Sequence, residues 1–400
     1  MKRVLFVDDE AQVLDGLRDL LRRQRREWEM VFALGGDAAL RALDGGPFDV
    51  VVSDMRMPGM DGATLLRLVQ ERHPQTVRIV LSGQTDLEAA LRAVPVAHQF
   101  LAKPCDRNEL RRAVERACLS TALLNDDAVR RAAAGAGHVP SAPSLYTKLV
   151  AATADQDASI ADIAALVESD IAMCAKVLQL VNSSFFGLAR RVSSPREAVT
   201  YLGIERVRAL VLSAGAFRAF AATQPVEGFS VDALETHSAR VARLAADLLP
   251  DKSEAEDAFT AGVLHDVGKL LLAAHRPDEF ALQLAAARES GRPLHELEHE
   301  RAGVTHAEVG AYLLALWGLP HRIVEAVAYH HAPGRLDAET LDPVAAVHIA
   351  DLLITEQEQV ASGGTSVSPD AGYLAGLGVA DRLAGWRALA AKHVHGEQPS

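Results

Sequence analysis

Cysteine is scarce. The 400 residues hold three, Cys105, Cys118 and Cys174, scattered with no paired spacing. A disulfide framework is therefore excluded, and the pattern is that of a reduced, cytoplasmic compartment. Aromatic residues make up only 5% of the chain, so aliphatic side chains must do most of the core packing. No stretch approaches 18 uninterrupted apolar residues, and no membrane span is expected. The opening "MKRVLFVDDE" meets acid after seven residues, too soon for a signal peptide. Positive charge is also short: the net charge is −12, with no basic block. The chain as a whole is not expected to hold a polyphosphate backbone, although a local patch stays open. No helix-turn-helix segment with a basic recognition helix is visible, so direct DNA binding is not expected. What is present is apolar residue, 49% of the chain, ample for two or three domains.

Residues 3–115 alternate between two periodicities. Short apolar runs at 3–7, "EMVFAL", 48–54, 77–83 and 98–104 predict five strands. Between and after them, "AQVLDGLRDLLRRQ", "GDAALRAL", "GATLLRLVQE", "DLEAALRAV" and "RNELRRAVERACL" predict helices. Strands separated by helices imply a doubly wound parallel sheet, with chemistry at the carboxyl ends of the strands. Residues 119–139 are small, polar and punctuated by Gly and Pro, and predict a linker. From 140 onward the strands disappear and nearly every segment has a 3.6-residue period. The runs 159–183 and 194–217 predict one or two helices and two helices respectively. A Gly/Ser-rich loop at 361–372 precedes a short C-terminal helix. The fold expected is α/β, a five-stranded doubly wound parallel sheet, followed by an all-α domain. The boundaries are 1–118, a linker 119–139, a helical domain 140–356, and a C-terminal loop and helix 357–400.

In the first domain Asp8 and Asp9 follow strand one, Asp54 ends strand three, Ser82 ends strand four and Lys103 ends strand five. A doubly wound sheet brings these ends together. Three carboxylates in one crevice invite a hard cation such as Mg²⁺. A carboxylate flanked by Mg²⁺ and a lysine is suited to phosphoryl transfer, with Asp54 as nucleophile. The motifs "VDDE", "SDMRMPGMDG", "LSG" and "FLAKP" resemble the receiver domain of two-component response regulators, which has a flavodoxin-like fold. The resemblance implies that Asp54 is the phosphoacceptor. It implies Mg²⁺ held by Asp9, Asp54 and the Arg56 carbonyl, with Asp8 assisting. Lys103 would bind the phosphoryl group, Ser82 would be the switch hydroxyl and Phe100 the aromatic switch. The implied partner is a sensor histidine kinase.

In the second domain, ten of the fifteen histidines fall between His237 and His348. The pair His265-Asp266 sits in the apolar run "AGVLHDVGKLLL", where neighbouring residues of a helix point about 100° apart and could both reach a metal lying off the helix. His237 and Asp351, from earlier and later helices, could complete the set. Imidazole and carboxylate suit Mn, Fe or Zn. His348 is read as a core histidine or a partner behind the site. His275, His295 and His321 look like surface or loop residues.

The span 140–355 is similar to the HDOD domain, a relative of the HD phosphohydrolases. The segments "ESDIAMCAKVLQLVNSSFFG" and "SSPREAVTYLG" carry the front half of the likeness, and "AGVLHDVGKLLL" through "AVAYHHAP" the back half. The HD pattern of His, His-Asp, Asp would fall on His237, His265-Asp266 and Asp351. HDOD domains are generally non-catalytic, and many have lost these residues. This chain has not. The HD-GYP phosphodiesterases, which hydrolyse cyclic di-GMP, add histidines for a second metal. By that likeness His306, His330 and His331 would hold it and Lys269 would contact phosphate. Two departures stand out. "APGRL" follows His330-His331 in place of the signature loop, and Ala233 occupies the place of an acid four residues before His237. Two outputs are therefore open. One is an HDOD module signalling by contact with a downstream protein or by self-association. The other is a metal-dependent phosphohydrolase acting on a nucleotide or cyclic dinucleotide. In either case phosphorylation is expected to act through the fourth-helix, fifth-strand and fifth-helix face.

Overall fold

The computed structural model describes residues 1–83, 92–94, 96–103, 105, 108–115, 143–154, 158–183, 186, 188, 190–218, 226–336, 340–362 and 371–395. The linker 119–139, Pro104 and Cys118 lie outside them, as do most of the expected helix 86–94 and most of the loop 361–372.

Five strands, β1 (Lys2–Asp8), β2 (Trp28–Leu34), β3 (Val50–Asp54), β4 (Val77–Gly83) and β5 (Gln99–Lys103), form one parallel sheet in the order β2-β1-β3-β4-β5. Helices α1 (Ala11–Leu20), α2 (Gly36–Asp44) and α3 (Gly62–Arg72), with a helical stretch over 108–115, accompany it. The five predicted strands are all present. A short 3-10 turn, Arg22–Arg26, precedes β2 and was not expected, and β3 begins two residues late, at Val50. Every residue of β3 is buried, as a strand covered on both faces requires. The register pairs Asp54 with Leu81, Ser82 with Ala102 and Gly83 with Lys103. The ends of β1, β3, β4 and β5 thus lie along one edge, and the chain order reverses between β1 and β3, where such sheets bind ligands.

The rest is helical: α4 (Pro143–Ala154), α5 (Ile160–Ser169), α6 (Ile171–Val181), α7 (Pro195–Leu202), α8 (Ile204–Arg218), α9 (Val231–Leu248), α10 (Lys252–Leu264), α11 (Val267–His275), α12 (Pro277–Ser290), α13 (Leu294–Ala302), α14 (His306–Leu316), α15 (His321–Tyr329), α16 (Pro343–Ser362), α17 (Ala371–Gly376) and α18 (Leu383–His395). Caps set the breaks. The run 159–183 divides at Asp170, whose carboxylate accepts the Met173 N–H. The run 194–217 divides at Gly203, whose φ of 75° only glycine adopts cheaply. Among the described residues no helix is long and apolar enough to cross a membrane.

One break corrects the sequence reading. His265 and Asp266 are not inside a single helix but in the turn between α10 and α11, where Asp266 is the N-cap with φ −101° and ψ 11°. The flanking helices are drawn toward different partners by glycine contacts. A Cβ at Gly262 would lie 2.6 Å from Ala242 Cα of α9, and one at Gly268 would lie 1.9 Å from the His306 carbonyl oxygen at the start of α14. The pair is thereby placed among α9, α14, α15 and α16, which pack on α10 and α11 and on one another.

Gly268→Ala is expected to lower stability by ~1–3 kcal/mol through overpacking. Gly16→Ala, on an open face of α1 with no atom within 4 Å of the new methyl, should be neutral or stabilising by about 0.5–1 kcal/mol. Calorimetric unfolding of both variants tests this, and equal effects would contradict the close α11–α14 contact.

Candidate functional site

The first site is the crevice at the strand ends. Asp8 and Asp54 are buried, Asp9 is half-buried and Arg56 is exposed. Lys103 Nζ donates to Asp8 Oδ2 at 2.7 Å and also pairs with Asp54 Oδ1. The Arg56 N–H donates to Asp54 Oδ2 at 2.8 Å, and the Glu10 N–H to Asp8 Oδ1 at 2.9 Å. Burial raises the Asp54 pKa above the usual carboxylate value, against the pull of Lys103. Burial would lower Lys103, but its bonds to Asp54 and Asp8 outweigh that and raise it. The donors facing the crevice are oxygens, and one lysine cannot neutralise three carboxylates. Such a set fits a hard, oxygen-seeking cation. Ser82 is buried, and among the described residues its Oγ reaches the Gly83 carbonyl at 3.5 Å. Phe100 is buried opposite Val80.

The second site brings together all seven residues expected from the sequence. Donor atoms of Asp266, His306, His330 and His331 lie within 4.8 Å of one another, and so do those of His237, His265 and Asp351. The two groups adjoin. His265 Nε2 is 3.3 Å from Asp266 Oδ2 and 3.9 Å from Asp351 Oδ1, and His331 Nδ1 is 3.9 Å from Asp351 Oδ2. His306 Nε2 is 3.1 Å from Asp266 Oδ1, and His237 Nε2 is 3.1 Å from Asp351 Oδ1. Lys269 Nζ donates to Asp266 Oδ2 at 2.6 Å.

The orientation of the rings is specific. His265 Nδ1 is 2.7 Å from the Gly262 carbonyl, and His330 Nδ1 is 2.7 Å from the Val327 carbonyl. His306 Nδ1 is 2.7 Å from Glu298 Oε2, and His237 Nδ1 is 3.0 Å from Glu358 Oε2. Each oxygen can only accept, so each Nδ1 donates and each Nε2 faces inward, where His237 Nε2 and His306 Nε2 meet the Asp351 and Asp266 carboxylates at 3.1 Å. At the centre, His265 Nε2, His330 Nε2 and Asp266 Oδ1 are buried and, among the described residues, make no well-aligned hydrogen bond, although Asp266 Oδ1 lies 3.1 Å from His306 Nε2 and 3.9 Å from His330 Nε2. An unsatisfied buried polar atom costs about 1–3 kcal/mol. A cation bound among these donors would complete their coordination. The donor set of five imidazoles and two carboxylates fits Mn, Fe or Zn.

The surroundings divide the rings into two kinds. Burial would depress His237, but Asp351 and Glu358 raise it to about 10. Burial likewise opposes His306, which Glu298 and Asp266 raise to about 9. His330 and His331 are pushed well below the usual value, first by burial and then by the neighbouring histidines. Asp266 is lowered despite its burial, chiefly by the charges of His265 and Lys269. Positive charge thus gathers around two buried carboxylates.

Sequence reasoning missed three neighbours. Glu298, eight residues before His306, gives no pattern that would single it out. Glu358 lies seven residues after Asp351, two turns along the same face of α16, and that spacing was a usable signal. It supplies His237 with a carboxylate from another helix, where Ala233 on its own helix supplies none. His295 does not lie apart: its ring stacks on His331 with centroids 4.1 Å apart. His348 donates through Nδ1 to the His330 carbonyl at 2.6 Å, holding the backbone behind the site. His275 and His321 are exposed, as expected.

A crevice of carboxylates and one lysine on a five-stranded parallel sheet, joined to a helical His/Asp domain, defines a class. Residues 4–115 match the response regulator receiver domain, and residues 139–333 match the HDOD domain. The chain belongs to the response regulators, with an N-terminal receiver domain and a C-terminal HDOD domain. It is similar to an uncharacterized protein of Treponema pallidum, 27% identical over 219 residues, 54% of this chain and 42% of that one. It is similar to the DNA-binding transcriptional regulator NtrC of Escherichia coli, 43% identical over 83 residues, 20% of this chain and 18% of that one. Among solved structures it is similar to the MmoQ response regulator of Methylococcus capsulatus, 26% identical with a TM-score of 0.48, covering 62% of this chain and 98% of that one. The chain spans less than half the length of these curated relatives.

Glu298→Gln and Glu358→Gln are each expected to weaken any Zn²⁺ binding at this centre by about 10–100-fold, since both carboxylates anchor a ring of the cluster. Chelator competition on protein with unchanged circular dichroism measures this. Unaltered affinity in both would contradict the ring-anchoring role.

Proposed function

We propose that the chain is a cytoplasmic, phosphorylation-controlled response regulator whose helical domain contains a two-cation centre acting on a phosphate ester. A sensor histidine kinase would transfer phosphoryl to Asp54. Asp9, Asp54 and the Arg56 carbonyl, with Asp8 assisting, would hold Mg²⁺. Lys103, within bonding distance of both Asp8 and Asp54, would neutralise the incoming phosphoryl oxygens. Ser82 and Phe100 would relay the change along β4 and β5. The working division is 1–118 receiver, 119–139 linker, 140–356 HDOD and 357–400 C-terminal segment.

The single observation that carries the output reading is the gathering of buried ligand-type atoms into two adjoining groups, Asp266, His306, His330 and His331 in one and His237, His265 and Asp351 in the other. His237, His265, Asp266 and Asp351 would hold one cation; His306, His330 and His331, with Asp266 between, would hold the second. When bound, the cations would supply Lewis-acid stabilisation of a phosphoryl group. Lys269, its side chain 22% exposed and paired with Asp266, would contact a substrate phosphate. His331 and Asp351 are also partly open, at 20% and 12%, so the centre can be reached from one side. The substrate class this fits is a nucleotide or cyclic dinucleotide.

A second reading is favoured by one feature. After His330-His331 the chain makes a short turn, Pro333–Arg335, with "APGRL" in place of the loop that the HD-GYP enzymes use. In that reading the cations hold the fold, and the output is contact with a downstream protein or self-association.

Two assays test the proposal. Wild type should incorporate phosphate from acetyl phosphate in Mg²⁺, and Asp54→Asn should incorporate none. Protein loaded with Mn, Fe or Zn should hydrolyse bis(4-nitrophenyl) phosphate or cyclic di-GMP, with activity falling to background in His265→Ala. A metal-loaded protein that turns over neither would remove the hydrolase reading in favour of the docking one.

A further inference from the structure

The two domains meet through a buried polar contact. Helix α6 is buried along its whole length, including Lys176 and Gln179. Lys176 Nζ donates to the Val94 carbonyl and to Gln179 Oε1, both at 3.1 Å, and lies 3.9 Å from the centroid of the Trp317 ring. Gln179 Nε2 donates to the carbonyls of Ala97 at 3.1 Å and His98 at 3.0 Å. The helical domain therefore grips the receiver backbone that leads into β5.

That backbone is gripped from the receiver side as well. Arg78 of β4, fully buried, donates Nε–H to the Val96 carbonyl at 2.6 Å, and its Nη2 lies 3.0 Å from His98 Nε2. The backbone N–H groups of Arg78 and His98 bind His98 Nδ1 at 3.0 Å and the Arg78 carbonyl at 2.7 Å. Arg78 lies four residues before Ser82 on the same strand, and a period of two puts both on one face. On the other side, Trp317 directly follows α14, the helix whose first residue is His306. A rigid element thus runs from the contact to the His/Asp centre.

The contact is poised. Among the described residues no carboxylate pairs with Lys176. Burial, with the charge of Arg78, lowers its pKa to about 7. A buried ammonium balanced only by carbonyl dipoles and a ring is costly to keep, which suits a contact that opens better than one that is permanent.

We infer that Lys176, Gln179 and Trp317 form a latch between the domains. The latch is closed when Asp54 is unmodified and opens when negative charge is loaded on Asp54, and through α14 it sets the state of the His/Asp centre. The last link rests on the reading of that centre as a metal site; the latch itself does not.

The test uses the full chain in Mg²⁺ with and without beryllofluoride, which loads Asp54 without covalent chemistry. Hydrogen exchange is followed over 94–98, 171–181 and 306–317, and Zn²⁺ affinity is measured in parallel. Beryllofluoride should speed exchange in all three segments. Lys176→Met/Gln179→Leu should show the faster exchange without it. Both should shift Zn²⁺ affinity in the same direction by about fivefold or more. The wild-type comparison stands even if that variant folds poorly, and Asp54→Asn should not respond. Unchanged exchange in the three segments, with protection appearing around Asp54, would overturn the latch. Faster exchange with unaltered Zn²⁺ affinity would overturn its control of the centre. A wild type that binds no Zn²⁺ would overturn the metal reading and the control link with it, while exchange still decides whether the latch exists.

Discussion

The helical domain is organised around one buried carboxylate. Asp266 sits in the turn between two helices, with Lys269 and His265 against one oxygen and His306 near the other. A carboxylate so deep is tolerable only if opposite charge surrounds it. The close approach of Gly268 to the start of α14 brings His306 within reach, and the α15 C-terminus delivers His330 and His331. His237, His265, His306 and His330 are each fixed from behind by an oxygen at Nδ1 that leaves Nε2 pointing inward. Loosening any of these anchors exposes an unpaired charge to an apolar interior.

The two sites of the chain differ as their chemistries require. The receiver crevice offers carboxylate and carbonyl oxygens, with a lysine balancing part of the charge. It suits a small hard cation and a transient phosphoryl group. The helical centre is rich in imidazole and largely sealed. It suits a tightly held cation of the first transition row. The latch at Lys176 and Gln179 lies between the two sites.

Much of this was legible in the sequence because the receiver obeys local rules. Strand periodicity places Asp8, Asp54, Ser82 and Lys103 at strand ends, and a parallel sheet brings strand ends together without further information. The helical centre was legible in its residue types. Its assembly was not, since distances between helices are set by packing and have no local signature. The continuous apolar run around His265 concealed a helix break that depends on tertiary contacts of Gly262 and Gly268. Glu298 resembled any surface glutamate, and Lys176 was hidden in an otherwise apolar helix. Only the domain contact gives that lysine a role.

The central claim is that the His/Asp centre holds metal. Elemental mass spectrometry on protein purified without a metal-chelating tag, beside a His265→Ala/Asp266→Ala variant, tests it most directly. The account predicts near-stoichiometric Mn, Fe or Zn in the wild type, approaching two ions per chain with both groups filled, and its loss in the variant. A wild type that remains metal-free after reloading, or a variant that keeps the full complement, would contradict it.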